Sequence, residues 1–249
     1  MRLSAALKPL GRWFFLVVLC AVGLQLFFIL RIASMRFVDP GSTAFQRSEA
    51  WRIASSANRF QWRQAWIPAK QHSVAMKRAV IASEDDVFAT HGGVQWDALE
   101  KAWSRNARAM ARAQARAQAQ SSNPKPAKLV GGSTITQQLA KNLFLSGERT
   151  LLRKGQEFVL TLLLEALLSK QRILEIYLNS VEWGEGVFGA EAAAQHYFRK
   201  PAAKLTALEA ARLAVMLPRP RYFEKLPNSG YLAERAAVIV ERLPNAQLP

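Results

Sequence analysis

Residues 151–168 read Leu151-Leu152-Arg153-Lys154-Gly155-Gln156-Glu157-Phe158-Val159-Leu160-Thr161-Leu162-Leu163-Leu164-Glu165-Ala166-Leu167-Leu168. The run is apolar almost all round a helix, the pattern of a segment buried in a core. A second membrane span is the competing reading, and it would change the fold. Glu157 and Glu165 interrupt the run, so no stretch between charges reaches the ~20 apolar residues that a span needs. The expectation is therefore a core helix of one anchored domain. Arg153, Glu157, Thr161 and Glu165 recur every four residues and form one polar stripe. Buried carboxylates are costly unless they are paired or functional. Pairing of Glu157 with Arg153 or Lys154 is the structural reading of that stripe, and a role in chemistry is the other.

Working towards the N-terminus, Trp13 to Leu30 carries no charge and is bracketed by Arg12 and Arg31. About eighteen apolar residues just span a bilayer core. Neither the shorter apolar region nor the small-residue cleavage site of a signal peptide is clear, so the segment reads as an uncleaved anchor. Arg2, Lys8 and Arg12 favour a cytoplasmic N-terminus, against Arg31 and Arg36 on the other side. The expected layout is a tail over 1–12, a transmembrane helix over 13–32, a membrane-proximal linker over 33–60 and a domain over 61–223. Residues 224–249 add a last helix to that domain. Within it, residues 101–128 form an Ala/Arg/Gln-rich insertion, broken at Ser121-Ser122-Asn123-Pro124-Lys125-Pro126. The chain carries a net charge of +16, which favours anionic partners. Trp51, Phe60, Trp62 and Trp66 alternate with arginines beside the span, so a membrane surface fits that charge better than nucleic acid does, and an ordinary helical surface packed on the domain fits it equally well. Cys20 is the one cysteine, so no intrachain disulfide exists.

Between the anchor and the core helix lies Ala82-Ser83-Glu84-Asp85-Asp86-Val87-Phe88-Ala89-Thr90-His91-Gly92-Gly93. An apolar helix over Val74 to Ala82 ends there in three acids. A carboxylate at such a junction is partly desolvated, which raises its pKa towards that of a general base. A solvated acidic turn is the bland alternative. Thr134-Ile135-Thr136-Gln137 fits a capping box, as does Thr206 with Glu209. Gly184-Glu185-Gly186-Val187-Phe188-Gly189 matches G-x-G-x-x-G, but a helix precedes it, so it reads as a tight loop and not a dinucleotide site. Lys170 to Asn179 reads as a continuing helix, and Tyr231 to Arg242 as a last amphipathic one. No strand alternation is evident, and neither is an H-E-x-x-H, a paired C-x-x-C or a serine–histidine signature.

These stretches together resemble the peptidoglycan glycosyltransferases. Glu84-Asp85-x-x-Phe88-x-x-His91-x-Gly93 resembles the family's first motif, and Gly132-Ser133-Thr134-Ile135-Thr136-Gln137-Gln138-x-x-Lys141-Asn142 the second. Arg153-Lys154-x-x-Glu157, continuing to Glu165, resembles the third and Ile173-Leu174-Glu175-x-Tyr177-Leu178-Asn179 the fourth. Gly186-x-x-Gly189, with Ala192-Ala193 and Tyr197-Phe198, resembles the fifth. The anchor, with no transpeptidase domain following, resembles the monofunctional members. Phe188, Ala190 and Thr161 depart from the family's usual Tyr, Ile and Ala.

The resemblance implies an all-α, lysozyme-like, two-lobed domain behind a single N-terminal transmembrane helix. It implies polymerisation of lipid II into glycan strands, with inversion at the anomeric carbon and release of polyprenyl pyrophosphate. It assigns the general base to Glu84 and makes Glu157 the second essential acid, assisting departure or holding a divalent cation (Mg or Mn). Lys141 and Arg149 resemble the pyrophosphate-binding pair, with Arg153 and Lys154 beside them. Asp85, Phe88, His91, Ser133, Thr134, Gln137, Gln138 and Asn142 complete the substrate-binding set. The partners implied are lipid II, the growing strand, the bilayer and cell-division or elongation proteins, with no nucleic acid. The place implied is the inner membrane, single-pass, with the catalytic domain periplasmic. A lysozyme-like hydrolase and a non-catalytic glycan-binding scaffold are the competing readings.

Overall fold

The computed structural model describes residues 3–56, 60–96, 133–145 and 150–249, with single positions between 100 and 111, and side chains from residue 11 onward. The helices in chain order are α1 (Leu3–Ser34), α2 (Ala44–Ser56), α3 (Val74–Glu84), α4 (Ile135–Phe144), α5 (Leu151–Leu167), α6 (Lys170–Ser180), α7 (Ala190–Phe198), α8 (Ala207–Met216), α9 (Pro220–Glu224) and α10 (Gly230–Arg242). Side-chain caps set several starts: Ser73 accepts from the Met76 amide, Thr150 from Arg153 and Ser169 from Arg172. Thr134 and Thr206 each close a full capping box, as their sequences required. The Ser169 cap also separates α5 from α6, so Lys170 begins a new helix and does not continue the old one.

A small sheet also forms, which the sequence did not show. Strand β1 (Arg63–Gln64) pairs in parallel with β3 (Val187–Phe188), and β2 (Glu182–Gly184) pairs antiparallel with β3, in the order β1-β3-β2. Strands of two and three residues are too short to carry a period-two pattern. The glycine-rich loop is thus a hairpin. Gly186 sits at φ +70°, and a Cβ there would lie 2.2 Å from the Gln61 carbonyl oxygen, so only glycine fits.

Helices α3, α8 and α10 pack together, and α4 packs on α5 and α6. Tyr177 and Trp183 are among the largest fully buried side chains, and the Trp183 indole donates to the Leu213 carbonyl at 3.0 Å. Helix α5 corrects the reading of 151–168 as apolar all round and buried. Leu151 and Leu152 are 92% and 88% exposed, and Val159 and Leu162 are also exposed. The buried positions are Glu157, Leu160, Thr161 and Leu164. The polar stripe therefore faces inward, and much of the apolar surface faces out.

Residues 11–34 of α1 are long and apolar enough to cross a membrane. The last turns of that helix belong to the domain. Phe28, Ile32 and Met35 join its core, Phe28 meets Phe144 edge-on at 5.3 Å, and Gln25 donates to Gln156 at 3.0 Å. Arg172 of α6 then fastens the chain beyond α1, donating to the carbonyls of Met35 and Val38 and to Asp39 at 2.7 Å. Within 33–60, α2 docks through Gln46, whose amide reaches the Ser180 carbonyl at 3.3 Å, and through buried Ile53.

Candidate active site

Helix α3 ends at Glu84. Asp85, its C-cap, leaves helical geometry with φ −166° and ψ 75°. The two neighbouring carboxylates therefore diverge. Asp85 turns inward and is buried. It accepts from the Ile135 amide at the start of α4 (3.0 Å), from the Gln95 amide group and from His91 Nε2 (2.8 Å). The Gly93 amide donates to His91 Nδ1 at 2.9 Å, so that nitrogen is unprotonated and Nε2 carries the proton given to Asp85. Thr134 Oγ1 donates to the Gly93 carbonyl at 2.6 Å. Asp85 and His91 thus tie the 85–95 loop to the N-terminus of α4, where an anion is favoured.

Glu84 is only half-buried. Its Oε2 accepts from Gln138 Nε2 at 2.8 Å, and its Oε1 lies 3.5 Å from Ser83 Oγ. Desolvation raises its pKa above the ordinary carboxylate value, opposed by the hydrogen bonds from Gln138 and Ser83 and assisted by the charge of Asp85. Gln138 also accepts from the Tyr177 hydroxyl at 2.9 Å.

The inward stripe of α5 adjoins this loop. Gly93, at φ +88°, passes so close that a Cβ would lie 2.7 Å from Glu165 Cγ and 2.9 Å from Thr161 Cγ2. Glu165 accepts from Thr136 Oγ1 and from Lys170 Nζ at 2.8 Å, and Lys170 stands over the Phe88 ring at 4.5 Å. Two helical turns away from Glu165, Glu157 is buried between Arg153 at 2.8 Å and Lys154. Thr161 Oγ1 donates to the Glu157 carbonyl at 2.7 Å, which links the two turns. The buried Arg153 Nε has no partner among the described residues.

The arrangement is one acid with neutral neighbours beside a helix that offers cations, which suits a transfer from a donor whose leaving group is anionic. A family model described as Transglycosylase matches residues 52–244. The chain belongs to the transglycosylase family. Three relatives carry the name biosynthetic peptidoglycan transglycosylase. Those of Burkholderia orbicola (strain MC0-3) and Burkholderia thailandensis are each 52% identical over 225 residues, 90% of this chain and 85% and 82% of theirs. That of Burkholderia multivorans is 51% identical over 90% of this chain and 85% of its own. The helical domain behind one apolar N-terminal helix has the transglycosylase family's lysozyme-like fold.

Within this transglycosylase the motif residues separate into two sets. Glu84 and Gln138 are half-buried, while Ser133 and Lys141 are exposed on α4 and its approach. Asp85, Phe88, Thr134, Gln137 and Asn142 are buried. Phe88 has no exposed surface and packs under Lys170 and against His91. Asp85, Thr134 and Gln137 hold the loop and the α4 cap. Arg149 and almost all of the 101–128 insertion lie outside the described residues. In the fourth motif, Asn179 exchanges two 2.9 Å hydrogen bonds with the Ile67 backbone, and Glu175 accepts from the Ala69 amide, so that motif pins the 67–69 strand of chain.

Glu157 was also named as a holder of a divalent cation. Both of its oxygens are engaged by Arg153 and Lys154. Among the described residues no group of three His, Cys, Asp or Glu side chains is placed to hold a metal ion. This donor set does not fit a resident divalent ion. Sequence reasoning missed Gln95 and Lys170 as members of the network, and it placed Glu165 and Tyr177 in motifs without a site role. Gln95 and Lys170 lie beyond motif boundaries, and Tyr177 reaches Gln138 only through tertiary packing.

Proposed function

We propose that this transglycosylase polymerises lipid II, adding the 4-hydroxyl of one unit to the anomeric carbon of the growing strand. The observation that carries this reading is the contrast among four carboxylates. Asp85 is held by three donors, from His91, Gln95 and the Ile135 amide, while Glu157 is paired with Arg153 and Lys154 and Glu165 with Lys170. Among the described residues Glu84 meets only the neutral Gln138 and Ser83. A desolvated carboxylate with no cation to hold its charge is suited to accept a proton. Glu84 takes the proton of the acceptor hydroxyl. Lys141, Arg149, Arg153 and Lys154 receive the pyrophosphate as it leaves, as charge-assisted donors. Glu157 holds Arg153 and Lys154 in place for that task.

The exposed leucines of α5 lie beside α1, whose Gln25 meets Gln156. An apolar helix face next to an apolar span supports contact with the bilayer surface, where a lipid-linked donor resides. The inner membrane, with the domain periplasmic, is the place that suits such a donor. The test is to supply lipid II to the full chain in detergent. Glu84→Gln should bind lipid II yet polymerise it at least about a hundredfold more slowly, since general-base catalysis contributes roughly 10²–10⁴. A folded variant working at near the parent rate would overturn the assignment. Release of fragments from preformed glycan, with no polymer, would make the chain a hydrolase.

A further inference from the structure

Tyr177 is fully buried in α6, and its hydroxyl reaches the site. That hydroxyl donates to Gln138 Oε1 at 2.9 Å. At the other end of the same amide, Nε2 donates to Glu84 Oε2 at 2.8 Å and lies 3.5 Å from the Ser133 carbonyl. The two ends of a glutamine amide have almost the same shape, so their partners alone decide which faces which way. Burial, helped by the charges of Glu84 and Asp85, pushes the Tyr177 phenol well above its ordinary value. The hydroxyl therefore keeps its proton and presents a donor to Gln138. Without that hydroxyl the amide loses its fixed donor at Oε1, and only Glu84 and the more distant Ser133 carbonyl are left to orient it. Among the described residues the other oxygen of Glu84, Oε1, is held only by a long, weak bond from Ser83 Oγ at 3.5 Å.

We propose that Tyr177 is a positioning residue for the transfer step, which acts through Gln138 to hold Glu84 Oε2 and leaves Oε1 as the oxygen that receives the proton. In that step the acceptor O–H bond breaks and its proton passes to Oε1. The acceptor oxygen bonds the donor's anomeric carbon, and the bond from that carbon to phosphate breaks, its electron pair leaving with the pyrophosphate. The inference rests on Glu84 as the proton acceptor, and the readouts are chosen to separate the two claims.

The full chain is studied in detergent micelles with carboxyl-labelled glutamate, the Glu84 resonance being assigned by its loss in Glu84→Gln. In Tyr177→Phe the Glu84 titration midpoint should rise by about one pH unit, the scale of one hydrogen bond to a charged group. The acid limb of kcat/KM should rise with it. Gln138→Ala should raise the midpoint similarly, and adding Tyr177→Phe to Gln138→Ala should move it no further. A Tyr177→Phe midpoint equal to the parent's would overturn the proposal. So would an effect that persists in full on the Gln138→Ala background, since that is a packing effect. A midpoint that moves while the acid limb stays leaves the relay standing and removes Glu84 as the base. Should Tyr177→Phe fail to fold, an unchanged midpoint in Gln138→Ala alone overturns the relay.

Discussion

Glu84 and Asp85 are adjacent in the chain and opposite in circumstance. Their side-chain types differ by one methylene, and a row of three acids does not say which one is desolvated and unpaired. The difference comes from the helix ending between them, which sends Asp85 into the α4 cap and leaves Glu84 beside Gln138. The helix end and the capping box were legible in the sequence. The divergence was not, because it depends on α4, which begins fifty residues later. A consequence separates the two acids experimentally. Asp85→Asn places an amide among three donors and should cost about 1.5–3 kcal/mol of stability, read by chemical denaturation. Its polymerisation rate, once folded, should fall much less than that of Glu84→Gln. An Asp85→Asn protein as stable as the parent would show that the loop is held by other contacts.

Helix α5 was recognised as a helix from its composition, but its orientation was inverted. Counting leucines favoured burial all round, whereas the four-residue stripe of Arg153, Glu157, Thr161 and Glu165 marks the inner face. Inward charge is tolerated because each acid there has a cation or hydroxyl partner. Outward leucine is then free for another role. Replacing Leu151 and Leu152 together by Gln should change stability by less than about 0.5 kcal/mol. The same change should weaken retention on vesicles of a phospholipid bilayer. Undiminished retention would place the bilayer contact elsewhere. The end of α1 behaves in the opposite manner. The buried Ile32 has no exposed surface and belongs to the core of the domain. Ile32→Ala should cost about 2–4 kcal/mol in detergent, and a deletion of residues 1–36 should lower the melting temperature accordingly.

At the scale of the whole molecule, two buried titratable groups oppose each other. Burial pushes the Glu182 carboxyl up to about 7, with Arg221 offsetting part of the effect. The native state therefore holds that proton more tightly, and the stability it contributes is present at low pH and lost as pH rises from about 4.5 to about 7. Burial, helped by the charge of Lys77, lowers His72 to about 4 from its usual 6.5. Its contribution is present above 6.5 and lost as pH falls towards 4. Over the shared window the slopes have opposite signs. Glu182→Gln should leave His72 unopposed, so that between pH 6.5 and 5 the variant loses roughly 1.5 kcal/mol relative to the parent. His72→Gln should show the reverse trend. Parallel profiles for parent and both variants would mean that neither group titrates with folding. Neither group could be picked out from the sequence, since both owe their environment to contacts across the fold, Glu182 to Arg221 and His72 to Asn179.

Arg172 holds the chain just beyond α1 by two carbonyls and a carboxylate, and the helix that carries it also carries Tyr177. With α1 in a bilayer, this fastening works as a depth gauge. Glu84, the proposed base, then keeps one stand-off from the hydrocarbon boundary, because no flexible tether intervenes between the span and the helix beneath the site. A thicker or thinner bilayer would be felt by the enzyme as a vertical displacement or tilt of its whole cleft, and turnover would become a function of lipid chain length.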